Sequence, residues 1–164
     1  MIETSKILSF LNEQFPDTVL STETQYDMDV IHLKSESVTD IIQALKNHPG
    51  FSFEYLTTMC GIHYPDKKQM AIMYQLHSLS NNSRLRLKVF LPDDQPSIKS
   101  LTPVFRAANW MEREAYDFYG IHFEGHPDLR RILNVENMIA HPMRKEFPLE
   151  DQIRSDKDDK MFGR

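Results

Sequence analysis

The chain has 164 residues, 40% of them hydrophobic and 26% charged, which allows one globular domain with a real core and excludes a disordered or fibrous class. Nineteen basic residues against 24 acidic ones leave a formal net charge of −5, the wrong sign for non-specific nucleic-acid binding, which depends on Lys and Arg neutralising phosphates. The single cysteine, Cys60, excludes an internal disulfide framework, a four-cysteine zinc site and a self-contained iron–sulfur cluster.

The opening Met1-Ile2-Glu3-Thr4-Ser5-Lys6 has neither the form of a secretory signal nor that of an Arg-rich transit peptide. No run approaches the roughly 18 consecutive apolar residues of a membrane span, so a cytoplasmic chain reaching a membrane only through a partner is expected. A helix is predicted over Ser5–Gln14, with Ile7, Leu8, Leu11 and Phe15 on one face and Pro16-Asp17 ending it. Tyr26–Leu33 alternates as a strand. A second helix follows, with Ser37 as N-cap, Asp40 three residues on, and a buried stripe of Val38, Ile41, Ile42 and Leu45.

Three strands come next. Phe51–Tyr64 turns at Pro65-Asp66-Lys67-Lys68, and Gln69–Ser78 turns at Asn81-Asn82, whose side chains tolerate left-handed conformations. In the third, Leu85, Leu87, Val89 and Leu91 face one way while Arg84, Arg86 and Lys88 face the other, the pattern of a one-sided antiparallel strand. The basic row reads as a solvated face, with docking of an acidic neighbouring subunit as the alternative. Thr102-Pro103 resembles an N-cap followed by proline at the first helical position, opening a short helix through Ala108. The expected fold is therefore α+β: a small antiparallel sheet with helices packed on one face, followed by a signature helix and an extended C-terminal arm. Residues 1–121 form the α+β domain, ending in the helix at about 109–120, and residues 122–164 form a partner-binding arm and a charged tail.

The most informative segment is the helix. Asn109 is placed to cap it, Glu112 stands at the capping-box position and Gly120 at the left-handed C-terminal position. Trp110, Met111, Ala115 and Phe118 suggest an apolar stripe. Glu114 and Asp117 lie on the polar side, with Arg113 available to pair with Asp117. Folding the arm back so that Arg130 and Arg131 meet Glu114 and Asp117 would satisfy both carboxylates.

Glu112-Arg113-Glu114-x-x-Asp117-x-x-Gly120-Ile121, followed by Phe123-Glu124-Gly125-His126-Pro127-Asp128-Leu129-Arg130-Arg131-Ile132-Leu133, resembles the signature of the 30 kDa subunit of respiratory complex I, the C subunit of the bacterial NADH–quinone oxidoreductase. His141-Pro142-Met143-Arg144-Lys145-Glu146-Phe147-Pro148-Leu149 is similar to the family's terminal run, and Cys60–Pro65 and Leu76–Leu79 also resemble family positions. Residues 134–140, and His63 and Thr58 where aspartates are common, depart from the pattern. The resemblance implies a subunit that binds no cofactor itself, while FMN and iron–sulfur clusters sit in partner subunits. It implies packing against the 49 kDa-type quinone-site subunit in the peripheral arm, on the cytoplasmic side of the inner membrane. The same architecture could serve an energy-converting membrane hydrogenase.

The residues expected at interfaces are Glu112, Arg113, Glu114, Asp117, Gly120, His126, Pro127, Arg130, Arg131, His141, Pro142, Arg144 and Lys145, with no catalytic or metal site. A three-histidine zinc site from His122, His126 and His141 is the competing reading. It needs a helix that Gly120, Gly125 and Pro127 oppose. Cys60 reads as a structural residue within a strand.

Overall fold

A computed structural model describes residues 2–26 and 28–147. The tail expected beyond 150 and the run Pro148-Leu149 lie outside the described residues. Helix α1 (Thr4–Gln14) is followed by strands β1 (Val19–Gln25) and β2 (Met28–Leu33), helix α2 (Val38–Asn47), and strands β3 (Tyr55–Tyr64), β4 (Gln69–Ser78) and β5 (Ser83–Pro92). A short strand β6 (Ser97–Lys99), helix α3 (Ala108–Tyr119) and strand β7 (His122–Glu124) complete the order.

The main sheet runs β1-β2-β5-β4-β3. The strands β3, β4 and β5 form an antiparallel meander through short turns, as their sequence predicts. The sheet is nevertheless mixed, because β2 lies parallel to β5. The chain leaves β2 through α2, and such a crossover delivers the later strand in the same direction. Strand β1 has no counterpart in the sequence reading. Five of its seven residues are exposed and none is buried, so it carries no alternation to detect; its ladder with β2 holds it in place. Tyr26, expected to open a strand, sits fully exposed at the hairpin tip with φ 49°.

The alternation of β5 survives intact. Leu85, Leu87, Val89 and Leu91 join Met70, Ile72, Tyr74 and Leu76 of β4 in one buried cluster. Ile7 and Leu11 of α1, Val38, Ile41, Ile42 and Leu45 of α2, and Ala108 and Ala115 of α3 close over the same face. The helices therefore cover one side of the sheet, and among the described residues no helix covers the other. Ser37 occupies the N-cap position of α2 but makes no cap bond through its side chain. A 3₁₀ turn over Ser35–Ser37 places it in a helical conformation, from which the hydroxyl cannot reach back to the first-turn amides.

Two further expectations change. Thr102-Pro103 opens no helix; Val104 and Phe105 both donate to the Leu101 carbonyl in a tight turn. Regular structure also continues past residue 121, because β7 pairs in parallel with β6. That pairing fixes where the chain leaves α3 and starts the arm.

Helix α3 comes close to β3 at Gly61, where a Cβ would lie 2.7 Å from the Tyr119 ring. Gly61→Ala should therefore cost about 1–3 kcal/mol in urea unfolding. Tyr119→Leu in the same chain should recover most of that loss, whereas simple addition of the two effects would refute the contact as the cause.

Candidate functional site

Helix α3 begins one residue before the expected cap. Ala107 stands at the N-cap, and no side chain caps the helix. The expected stripe is also rotated: Trp110 is 59% exposed, whereas Glu112 and Asp117 are wholly buried beside Ala108 and Ala115. A helix that turns two carboxylates inward must supply them with donors, since an unpaired buried charge is costly.

Glu112 finds its donors across the fold instead of at its own helix end. Its Oε1 accepts the Leu101 N–H at 2.6 Å and its Oε2 accepts the Ser100 hydroxyl at 2.7 Å. The Ser100 oxygen in turn accepts the Thr102 N–H at 3.0 Å. The carboxylate thus ties α3 to the segment after β6. No cation approaches it among the described residues, and burial pushes its pKa up to about 7 against the lowering effect of these two bonds. Burial, reinforced by Glu112, also raises the pKa of the buried Tyr74 hydroxyl, which has no hydrogen-bond partner among the described residues.

Asp117 is held quite differently. Its Oδ2 accepts the backbone N–H groups of Ile132, Leu133 and Asn134 at 3.1, 2.8 and 2.9 Å. Its Oδ1 accepts Arg131 Nη1 at 2.7 Å and Asn134 Nδ2 at 3.1 Å. Burial alone would raise its pKa, but these donors together hold it well below the usual carboxylate range. Arg131 is itself nearly buried. Its Nη1 also reaches the Asp117 carbonyl, and its Nη2 donates to the carbonyls of Met138 and Ala140 at 2.5 and 3.0 Å. One guanidinium therefore gathers residues 138–140 onto the end of α3.

Other expected residues complete the clamp. Arg113 does not pair with Asp117; its guanidinium donates to the carbonyls of Arg130 and Arg131 at 3.2 and 3.1 Å. His126 Nε2 lies 3.1 Å from the Asn109 carbonyl, and its Nδ1 accepts the Asp128 N–H in the turn that Pro127 opens. His141 Nδ1 lies 3.0 Å from the Asp117 carbonyl. Gly120 has φ 75°, and a Cβ there would lie 2.7 Å from the His141 ring, so both its conformation and its contact require glycine. Past Pro142, Met143 donates its N–H to the Phe118 carbonyl. Arg144 donates to the carbonyls of Tyr119 and Asp93 at 2.8 and 3.1 Å. The Lys145 N–H reaches His63 Nδ1 at 3.0 Å.

Three expected side chains stand outside the clamp. Glu114 is exposed and meets neither arginine. Arg130 turns to solvent and pairs with Asp128 at 3.0 Å. The Lys145 side chain is exposed. The Asp117 carboxylate thus needs one guanidinium, because the backbone amides after Arg131 take the place of the second. His122, His126 and His141 do not converge as ligands; His122 is exposed and the other two face backbone carbonyls. No group of three His, Cys, Asp or Glu among the described residues is arranged to hold a metal ion.

Sequence reasoning missed Ser100, Asn134, His63 and Asp93. Nothing in the sequence marks Ser100, and Asn134 lies in the run that departs from the family pattern. Cys60 is half-buried, and burial raises its thiol pKa.

The arm leaves an apolar outer surface. Leu133, Val135, Ile139 and Met143 are exposed, Ile139 by 96%. A shallow cavity of about 140 Å³ lies between α3 and β3, lined by Met59, Met111, Ala115, Phe118 and Met143 among others.

A sequence model of the family described as "Respiratory-chain NADH dehydrogenase, 30 Kd subunit" matches residues 31–153, which include α3 and the whole clamp. The NADH-quinone oxidoreductase C subunit 2 of Rhizobium etli is 44% identical over 138 residues, covering 84% of this chain and 73% of the relative. The corresponding C subunit of Thiobacillus denitrificans is 38% identical over 151 residues, covering 87% and 76%. That of Leptothrix cholodnii is 46% identical over 129 residues, covering 74% and 65%. Among solved structures, the trypsin-resistant fragment of Nqo5 superposes with a TM-score of 0.64 at 25% identity, over 78% of this chain and 100% of the fragment. A chain of the archaeal membrane-bound sulfane sulfur reductase shares the fold at TM-score 0.73 and 18% identity, over 89% of this chain and 86% of that one.

The two buried carboxylates should act on stability in opposite directions. Asp117 has a depressed pKa, so its contribution is present above the ordinary carboxylate range and is lost as pH falls below about 4. Glu112 has a raised pKa, so the folded chain holds a proton that the unfolded chain has released, and stability should fall by a few kcal/mol between pH about 4.5 and about 7. Glu112→Gln can accept from Leu101 and donate to Ser100 without charge. Urea unfolding from pH 3 to 8 should show that falling limb in the native chain and a flat one in Glu112→Gln. Arg131→Ala, which strands the Asp117 charge, should cost about 3–5 kcal/mol at pH 7 and expose residues 132–140 to limited proteolysis.

Proposed function

Because the chain belongs to the 30 kDa subunit family of the respiratory-chain NADH dehydrogenase, we propose that it is a cofactor-free peripheral-arm subunit of a membrane-bound NADH:quinone oxidoreductase. Its role is to pack against the 49 kDa-type quinone-site subunit and hold it in register with the cluster-bearing subunits. Electron transfer from NADH through FMN and iron–sulfur clusters to quinone, coupled to proton translocation, takes place in those partners. This chain carries no active site of its own.

The observation that carries the reading is the clamped arm. The side chains of Asp117 and Arg131 use eight hydrogen bonds to fix a segment without helix or strand of its own. That segment turns Leu133, Val135, Ile139 and Met143 outward. A free-standing domain gains nothing from pinning apolar side chains in water, whereas a subunit gains a preorganised docking edge that loses little further entropy on binding. The location follows from the same reading: the inner membrane, peripheral, on the cytoplasmic side. No helix among the described residues is long and apolar enough to cross a membrane. The three-histidine metal enzyme lacks converging ligands among the described residues, and no observation favours the hydrogenase alternative.

Affinity purification of the tagged chain from detergent-solubilised membranes should recover a flavin-containing, multi-cluster assembly with NADH-dependent quinone reduction. Recovery of the chain alone under conditions that preserve the oxidoreductase would overturn the reading. Leu133→Asp combined with Ile139→Asp should leave the isolated chain within about 0.5 kcal/mol of its native stability, as expected for exposed positions, yet remove it from the assembly.

A further inference from the structure

Among the described residues, the open side of the main sheet is absorbed neither by the helix-side core nor by the arm. The registers bring Thr58, Gln75 and Arg86 into one row, Cys60, Met73, Lys88 and His32 into the next, and Ile62, Ala71 and Phe90 into a third. Their strand partners one residue along point to the helices. Val30 and Ala71 are buried here although they stand outside the helix-side cluster, so the face has its own apolar floor.

The charge on this face is mostly positive, with Glu23 of β1 as a carboxylate in register with Val30. Arg84, Arg86 and Lys88 project from β5 at alternate positions, and none forms an ion pair with a carboxylate among the described residues. Lys88 Nζ donates to the Tyr64 hydroxyl at 3.0 Å and lies 5.2 Å from the centroids of the Tyr64 and Phe90 rings, which holds its charge over the apolar floor. Arg86 Nε reaches the Gln75 side-chain oxygen at 3.3 Å. Glu23, on the neighbouring edge strand, is engaged by His32 at 2.8 Å. In a chain with a formal net charge of −5, a sheet face built from arginine, lysine, aromatic and methionine side chains is a local inversion. Arginine, aromatic and methionine side chains are the ones enriched at protein interfaces.

We propose that this open face docks an acidic surface of a neighbouring protein subunit, with Arg84, Arg86 and Lys88 as its cationic contacts and Ile62, Met73 and Phe90 as the apolar surface beside them. The inference rests on the chain's place in a multisubunit assembly and identifies a second contact, on a different face from the arm. A protein fits better than a lipid surface or a nucleic acid. Three cations along one strand span only about 13 Å, fewer than the clusters of roughly 4–8 basic residues that hold anionic membranes. Their setting among apolar side chains suits a shaped partner that excludes water.

The test uses the intact detergent-solubilised assembly. A zero-length carbodiimide, which joins an amine directly to a carboxylate, should link Lys88 to an Asp or Glu of another subunit. Peptide mass spectrometry that finds Lys88 unlinked, or linked only to Glu23, would overturn the proposal. Arg84→Glu combined with Arg86→Glu should lower the chain's recovery with the assembly about tenfold or more, and Arg84→Lys with Arg86→Lys should retain it. Thermal unfolding of the isolated variants separates lost docking from lost folding. Native-level recovery of the charge-reversed chain overturns the face alone, whereas failure of the unaltered chain to co-purify overturns the assembly reading as well. Binding of the isolated chain to phosphatidylglycerol vesicles at physiological salt, abolished by the same reversal, would assign the face to lipid and reject the protein partner.

Discussion

Asp117 accepts five hydrogen bonds while wholly buried, and the course of the arm follows from satisfying that one carboxylate. An ionised group in a dry site needs donors converging from several directions. Helix α3 cannot provide them, because its own N–H groups are spent on its ladder. The donors come from residues 131–134, and bringing them in turns the chain back across the helix. Arg131, drawn in as the counter-charge, then has hydrogen-bonding capacity left over. It uses that capacity on the carbonyls of residues 138 and 140, so a single ionic contact orders two stretches of backbone that lack periodic structure.

The same helix buries a second carboxylate under opposite conditions. Glu112 has two neutral donors and no cation, and burial raises its pKa toward neutrality. Asp117 has a guanidinium and three backbone amides, and its pKa falls. Environment alone separates the two acids. Each connects α3 to a different neighbour: Glu112 to the segment following β6, Asp117 to the arm. Tyr119, on the same helix, meets β3 at Gly61. These contacts fix the helix between sheet and arm, and the arm's apolar side chains acquire definite positions even though the arm has little core of its own.

Much of the fold was legible because it follows short-range patterns. The stripe Val38, Ile41, Ile42 and Leu45 is buried as its spacing predicts, and Leu85, Leu87, Val89 and Leu91 face the core together. Gly120 takes the left-handed conformation expected at the end of α3. Strand β1 left no trace because an exposed edge strand needs no alternation. The capping role assigned to Glu112 failed for a related reason. Capping-box spacing is a local signal, and here a distant pair of donors at Ser100 and Leu101 competed for the carboxylate and won. The fold-back of the arm onto Asp117 was anticipated, but with Arg130 as well as Arg131. Adjacent residues in an extended segment point opposite ways, so only one of the pair can face the helix.

Most of the elements, the one-sided strand β5 and the family membership carried by Glu112-Arg113-Glu114-x-x-Asp117 and the runs after it can be read from the chain of residues unaided. Those features reside in spacing, where propensity and periodicity operate. Which of the charged residues are buried is settled only when the elements pack. Solvation depends on what lies over a side chain and not on its neighbours in sequence. Packing placed Glu112 and Asp117 inside, left Glu114 and Arg130 in water, and set Lys88 over two aromatic rings on a sheet face that no helix of the described residues covers.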